Sequence, residues 1–255
     1  MLESILSAFA DLSLLELALI AGMALVASVV GGVAGYGTGA LMPLVLVPMV
    51  GAEPVVPILS LSALFTNSSR AAAFRHLVDR RRALIVLAAS VPTCALGAWG
   101  YTMLTGKGAL IVIGGMLIAS VPLRRLMRRR GLVLSDRGLA VALFAWGPLA
   151  GGTVGSGILL LSLLMAAGLE GAAVVATDAI ISIGIGLTKL AVFGLAGAVT
   201  AKVIAIALLI GAVAFPGAFL AKALVARLPV HVHTAILDAV VAGGGAVMLF
   251  HAFAR

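Results

Sequence analysis

From Leu17 to Ala52 this chain carries no Asp, Glu, Lys or Arg, and the same holds from Ala83 to Gly106, from Gly138 to Leu169 and from Val203 to Ala221. A helix needs about 20 consecutive apolar residues to cross the hydrocarbon core of a bilayer. Several such stretches in one chain exclude a single cleaved signal peptide as their cause, and the N-terminus offers Glu3, Asp11 and Glu16 instead of a basic flank. With 63% hydrophobic and 10% charged residues, the chain lacks the polar side chains that would cover a water-facing surface. In lipid only helices and closed barrels satisfy their own backbone, and these runs lack the alternation of barrel strands. The expected fold class is all-α, a polytopic helical membrane protein. Apolar segments are predicted at roughly 14–50, 54–74, 83–104, 108–123, 138–167, 171–193, 201–224 and 232–253, giving 8–10 membrane helices.

The net charge of +8 does not point to nucleic acid. The basic residues gather at 70–82 and 124–137, between apolar segments, which is the pattern of cytoplasmic loops. Cys94 is the single cysteine, so no internal disulfide forms. Trp99 and Tyr101, near the end of the third segment, fit an outer aromatic belt.

The segments repeat. GGVAGYGTG occupies 31–39 and GGTVGSG occupies 151–157, each in the first segment of its half. The expected organisation is a first repeat at 1–127, a cytoplasmic basic loop at 128–137 and a second repeat at 138–255, all one integral membrane domain. Each repeat would hold a Gly-broken helix or short-helix hairpin plus three spans. Segment 138–167 decides the relation between the halves: one long broken helix makes them parallel, and a re-entrant hairpin makes them inverted. The loop charges favour inversion. Paired halves of this kind are common in secondary transporters.

Gly31, Gly35 and Gly39 fall on one helical face, as do Gly147, Gly151 and Gly155, so close packing of helices is one reading. Gly35, Gly37 and Gly39, and again Gly155 and Gly157, are too dense for a continuous helix, each costing about 1 kcal/mol relative to Ala. A break at mid-membrane bares N–H groups at the start of a half-helix, where an anion is favoured. Thr38 and Ser156 add hydroxyls at matching places. The second stretch is not a phosphate loop, because no Lys-Ser/Thr pair follows. Gly35-Tyr36-Gly37 is only a fragment of a potassium filter, preceded by Val33-Ala34.

Polar residues at depth complete the candidate site. Asn67 and Arg70 lie in the second segment, and Thr177, Asp178, Ser182 and Lys189 in the corresponding sixth. The substrate-binding set is therefore Gly35, Gly37, Thr38, Gly39, Asn67, Arg70, Gly155, Ser156, Gly157, Thr177, Ser182 and Lys189. Asp178 is the candidate proton-coupling group; the bland alternative is an interfacial Asp bonded to neighbouring hydroxyls. Snorkelling to the headgroups is the bland reading of Arg70 and Lys189, and a helix-to-helix tie that of Asn67. His76, His231, His233 and His251 lie in loops or at segment ends, so no catalytic set, metal site or cofactor is expected.

Taken in order, Gly31–Gly39 leading to Pro43 and Gly51, the Arg-rich turn with Val78-Asp79, Gly97, Leu110 to Gly114, Gly147–Gly157 and Leu228-Pro229 resemble the TauE/SafE family of sulfite-exporter-like permeases. Arg80 and Leu161 depart from that pattern, where the family turn has Trp and where Pro43 suggests a proline. The resemblance implies a secondary transporter in a bacterial cytoplasmic (inner) membrane. It would move sulfite, organosulfonates or related sulfur oxyanions and carboxylates, coupled to protons. The implied partners are the small anion, the lipid bilayer and, compatibly, further copies of the chain. An ion channel and a membrane-embedded enzyme or assembly factor are the alternatives.

Overall fold

A computed structural model describes residues 2–10, 12–34, 38–129, 133–217, 220 and 230–254. Among the described residues there are helices and no strands: α1 (Leu2–Ala10), α2 (Leu14–Ala34), α3 (Thr38–Val50), α4 (Val55–Ala73), α5 (Arg80–Thr102), α6 (Gly106–Arg129), α7 (Asp136–Gly152), α8 (Gly157–Ala166), α9 (Gly171–Leu195), α10 (Ala201–Ala214) and α11 (Val230–Ala254). By length and composition, α5, the Gly106–Leu123 part of α6 and α9 are long and apolar enough to cross a membrane, with α1–α2 a fourth if counted as one bent span. The expected eight to ten membrane helices are thus a mixture of full spans and shorter apolar helices such as α3, α8 and α10. The predicted 14–50 and 138–167 segments each hold two helices, α2 with α3 and α7 with α8. The short helix α1 lies outside the predicted segments and packs on α10.

Helix starts follow local chemistry. Ser13 and Glu16 form a reciprocal box at α2: Ser13 N–H donates to Glu16 Oε2 at 2.9 Å, and Glu16 N–H to Ser13 Oγ at 3.2 Å. Asp79, Ser135 and Thr200 cap α5, α7 and α10 by accepting from the N–H three residues on.

Long-range bonds sort the helix ends into two levels. At one level Tyr101 Oη donates to Ala52 O at 2.7 Å, and its ring meets Phe193 edge-on at 6.0 Å. This joins the α3–α4 link, the end of α5 and the end of α9. Glu16 lies within electrostatic reach of Lys202 in the first turn of α10, so α2 starts there too. At the other level Asp79 N–H donates to Thr177 Oγ1 at 3.0 Å, Arg82 Nη2 to Ala167 O at 2.6 Å and Leu134 N–H to Ala166 O at 2.7 Å. Arg81 pairs with Asp136 at 2.7 Å at the same level. The Leu134–Ala166 bond joins the start of α7 to the end of α8, so this pair is a re-entrant hairpin. The first half therefore enters from the Tyr101 level and the second from the arginine-rich level, which the positive-inside rule places in the cytoplasm.

Several helix contacts fall in matching pairs. α5 lies on α7 as α2 lies on α10; α5 lies on α9 as α10 lies on α4; α6 meets α8 as α11 meets α3. The pairs α4–α9 and α6–α11 join the halves directly. Trp99, Leu96, Phe144 and Leu187 are exposed on the outside, a surface suited to lipid tails. Tyr101 is buried, so the expected aromatic belt holds Trp99 alone of the two.

The α5–α7 contact is backbone on backbone. A Cβ at Gly147 would overlap the Thr93 hydroxyl and lie 2.8 Å from Ser90 O, one at Gly151 would lie 2.7 Å from Ala98 N, and one at Gly97 would lie 2.7 Å from Pro148 Cα. Close packing is thus the role of Gly147 and Gly151, where small residues let helix axes approach.

Gly151→Val should lower stability by about 1–3 kcal/mol, the usual cost of overpacking, read as a fall in melting temperature of the detergent-solubilised protein; an unchanged melting temperature would show that the helices separate freely. The Asp79 cap gives a pH-dependent counterpart. The Arg82 N–H, and then its guanidinium, hold the Asp79 carboxyl below the ordinary carboxylate value. Its contribution is complete above about pH 4 and is lost as pH falls through that lowered value. Asp79→Ala should cost about 1 kcal/mol at pH 7, and the gap to the native protein should close in acid.

Candidate functional site

The second glycine stretch is where α7 stops. Thr153 turns extended, at φ −150° and ψ −171°, and Gly155 takes φ +81°, a left-handed conformation that favours glycine. α8 restarts at Gly157 with Ser156 before it. Among the described residues, no backbone carbonyl accepts from the N–H of Gly155, Ser156 or Gly157. These groups open a half-helix, where partial positive charge gathers.

Two buried side chains hold the break. Lys189 Nζ donates to Ala150 O at 3.0 Å and to Thr153 O at 3.1 Å, placing a cation on the carbonyl end of α7. Trp146 Nε1 donates to Ser156 O at 3.0 Å, tying α7 to the far side of the interruption. The first glycine stretch comes straight to this point. A Cβ at Gly39 would sit 3.2 Å from Gly155 N, and one at Gly155 would sit 3.7 Å from Gly39 O. The two stretches, far apart in sequence, touch main chain to main chain.

Beside that contact lies a cavity of about 170 Å³. It is below the ~300–1,000 Å³ of drug-sized pockets, and suits an anion of a few atoms with water. Thr38, Gly39, Asn67, Arg70, Gly155, Ser156, Gly157, Asp178, Ser182 and Lys189 all line it. Gly35 and Gly37 lie outside the described residues. Thr177 does not line the cavity; its buried Oγ1 accepts from Asp79 N–H and fastens α9 to the start of α5. Lys189 lines the cavity with its ammonium already engaged at the α7 terminus.

α4 and α9 contribute a polar cluster to the lining. Arg70 Nη1 donates to Asn67 Oδ1 at 2.9 Å, and Arg70 Nη2 to Asp178 Oδ2 at 2.7 Å. The Asp178 side chain is 3% exposed and the Arg70 side chain 13%, so this largely buried ion pair joins α4 to α9. Arg70 Nε and Asp178 Oδ1 have no hydrogen-bond partner. Arg70 is turned inward to a carboxylate, and Asp178 is neither isolated nor interfacial.

The sequence reading did not single out Trp146 or Thr153. A lone indole in an apolar helix, ten residues before Ser156, was the available signal, since a buried indole N–H seeks an acceptor. Ser60 and Thr66 also line the cavity, but their hydroxyls donate to Val56 O at 2.6 Å and Ala63 O at 3.2 Å on their own helix.

A family model described as sulfite exporter TauE/SafE matches residues 20–248. No curated protein and no solved structure matches the chain.

Lys189→Met should leave Ala150 O and Thr153 O without their donor, at about 1–3 kcal/mol for buried groups so exposed. The variant should melt lower than native protein in detergent. Equal melting temperatures would mean the α7 terminus is satisfied in some other way.

Proposed function

The chain belongs to the sulfite exporter TauE/SafE family of membrane transporters, and from that premise we propose that it carries small oxyanions across a bacterial cytoplasmic membrane through the cavity between its two glycine stretches. The observation that carries this reading is the contact of Gly39 with Gly155 beside the inward-facing Arg70. Main-chain donors at the start of α8 and the Arg70 guanidinium converge on one small space. That combination suits a compact, hydrogen-bond-accepting anion. Sulfite, organosulfonates and small carboxylates are the substrate class. Gly39, Gly155, Ser156 and Gly157 supply main-chain contact; Thr38, Asn67 and Ser182 supply polar side chains; Arg70 supplies the charge, and Asp178 carries the coupling proton.

The opposite entry of the halves and their matching helix contacts support an inverted repeat, with the α2–α3 and α7–α8 pairs in equivalent places. Rocking one half against the other would open the cavity to each side in turn. The buried α4–α9 contact at the ion pair is where such motion would pivot.

In proteoliposomes the native protein should move sulfite or a sulfonate with saturating kinetics. Arg70→Lys keeps the charge and loses the planar fork, so the apparent affinity should fall about tenfold or more. Gly155→Val should abolish transport while leaving the protein inserted and monodisperse. Normal transport in Gly155→Val, or no flux of any sulfur oxyanion or carboxylate in native protein, would end this reading.

A further inference from the structure

The guanidinium of Arg70 has one edge formed by Nε and Nη2, and that edge is only half used. Nη2 donates to Asp178 Oδ2 at 2.7 Å, while Nε has no partner. Asp178 Oδ1 is equally without one at hydrogen-bond geometry, although the Ser182 hydroxyl is close enough to act on the carboxylate. A carboxylate set squarely on this edge would accept from both donors; Asp178 accepts from one. Both residues line the cavity; Nε and Oδ1 themselves are buried, so an anion reaches the edge only as Asp178 moves aside, and two oxygens of a single oxyanion then match it.

We infer that the substrate oxyanion and the Asp178 carboxylate are alternative occupants of the Nε–Nη2 edge of Arg70, and that Asp178 takes up one proton when the anion displaces it. The inference rests on the transport reading above and names the event that couples anion to proton. Charge counting gives the reason. With Asp178 on Arg70 the pair is neutral. A monoanion on Arg70 beside a bare Asp178 would leave one uncompensated negative charge out of water, a cost of several kcal/mol. A proton from solvent on Asp178 restores neutrality. No covalent bond other than the new O–H changes; two ionic hydrogen bonds exchange partners. Monoanion and proton then cross together, in the same direction, with no net charge moved.

Among the described residues, the surrounding charges leave Asp178 as the group that responds. Lys189, on the same helix, is committed to the α7 carbonyls. Asp79 and Arg82, at the start of α5, pair with each other at 2.7 Å. His76, in the turn packed against α9, is exposed and bonded to Arg75. α7 and α8 present hydroxyls and main chain to the cavity and no ionisable side chain. Asn67 keeps Nη1 throughout and holds the fork in place.

The test uses methanesulfonate, whose own charge does not change near neutrality, with the full-length protein. In weakly buffered detergent solution, binding to native protein should remove about one proton per site from the medium, and the apparent affinity should fall as pH rises. Asp178→Asn removes the competing carboxylate, so it should bind the anion about tenfold or more tightly, with no pH dependence, and its anion-driven proton movement in proteoliposomes should disappear. Binding by native protein with no proton uptake would overturn the exchange while leaving anion transport intact. So would an Asp178→Asn variant with native pH dependence or weaker binding. Absence of any methanesulfonate or sulfite binding by native protein would overturn the transport reading itself, and this inference with it. The native proton count stands even if Asp178→Asn does not fold.

Discussion

A backbone N–H or C=O left unpaired in hydrocarbon costs several kcal/mol, so a chain that interrupts a helix inside a bilayer must supply other partners for the freed groups. The α7–α8 hairpin answers that demand in three ways. Lys189 takes two carbonyls at the end of α7. Trp146 takes the Ser156 carbonyl on the other side of the break. The N–H groups of residues 155–157 meet no backbone carbonyl among the described residues, and these residues line the cavity. The carbonyl side is sealed by a fixed cation, and the amide side lies beside the space where an anion fits. A single interruption thus has one satisfied end and one receptive end.

The rest of the architecture serves to bring that receptive end to Arg70. A re-entrant hairpin reaches only part of the way across, so its tip needs neighbours at the same depth. α5 supplies one wall through glycine contacts so close that Gly147, Gly151 and Gly97 have no room for a methyl group. The Gly39 main chain supplies the facing surface. α4 and α9 supply the third, α9 clamped to the start of α5 by the Asp79–Thr177 bond and to α4 by Arg70–Asp178. Thr177 and Asp178 are neighbours in sequence with separate duties: one fixes where α9 stands, and the other presents a carboxylate to the cavity.

Much of this was legible in the amino-acid order, for physical reasons that can be stated. Charge-free runs have one outcome in lipid, so the helical membrane class followed from them. The break at 153–156 followed from glycine density, because Gly155 and Gly157 weaken a helix where neighbouring residues do not restore it. Gly147 and Gly151 belong to the same dense stretch and yet are helical packing residues, since local composition does not say which glycines have a helix pressed against them. Arg70 and Asp178 could be named as polar residues at depth, but their pairing spans 108 positions and depends on α4 crossing α9. The commitment of Lys189 to carbonyls was hidden for the same reason. The sequence records which side chains are costly to bury; only the packing records what each is paired with.

That difference matters most for the ion pair. Two opposite charges buried together contribute little net stability, because desolvation offsets most of their attraction. An unused Nε alone does not set the pair apart, since Arg82 beside Asp79 leaves one too; here an acceptor on the partner is also left over. Arg70 and Asp178 leave Nε and Oδ1 unused, one on each partner; both atoms are buried, while the two residues line a space large enough for a small anion. Under the proposed exchange, a displaced carboxylate with no second free cation beside it among the described residues would need a proton. Lys189 is the nearest alternative cation on its own helix, and its engagement with the α7 terminus removes it from that role. The same lysine that stabilises the broken helix is therefore taken up at the α7 terminus, and under the proposed exchange the counter-charge for Asp178 would be a proton.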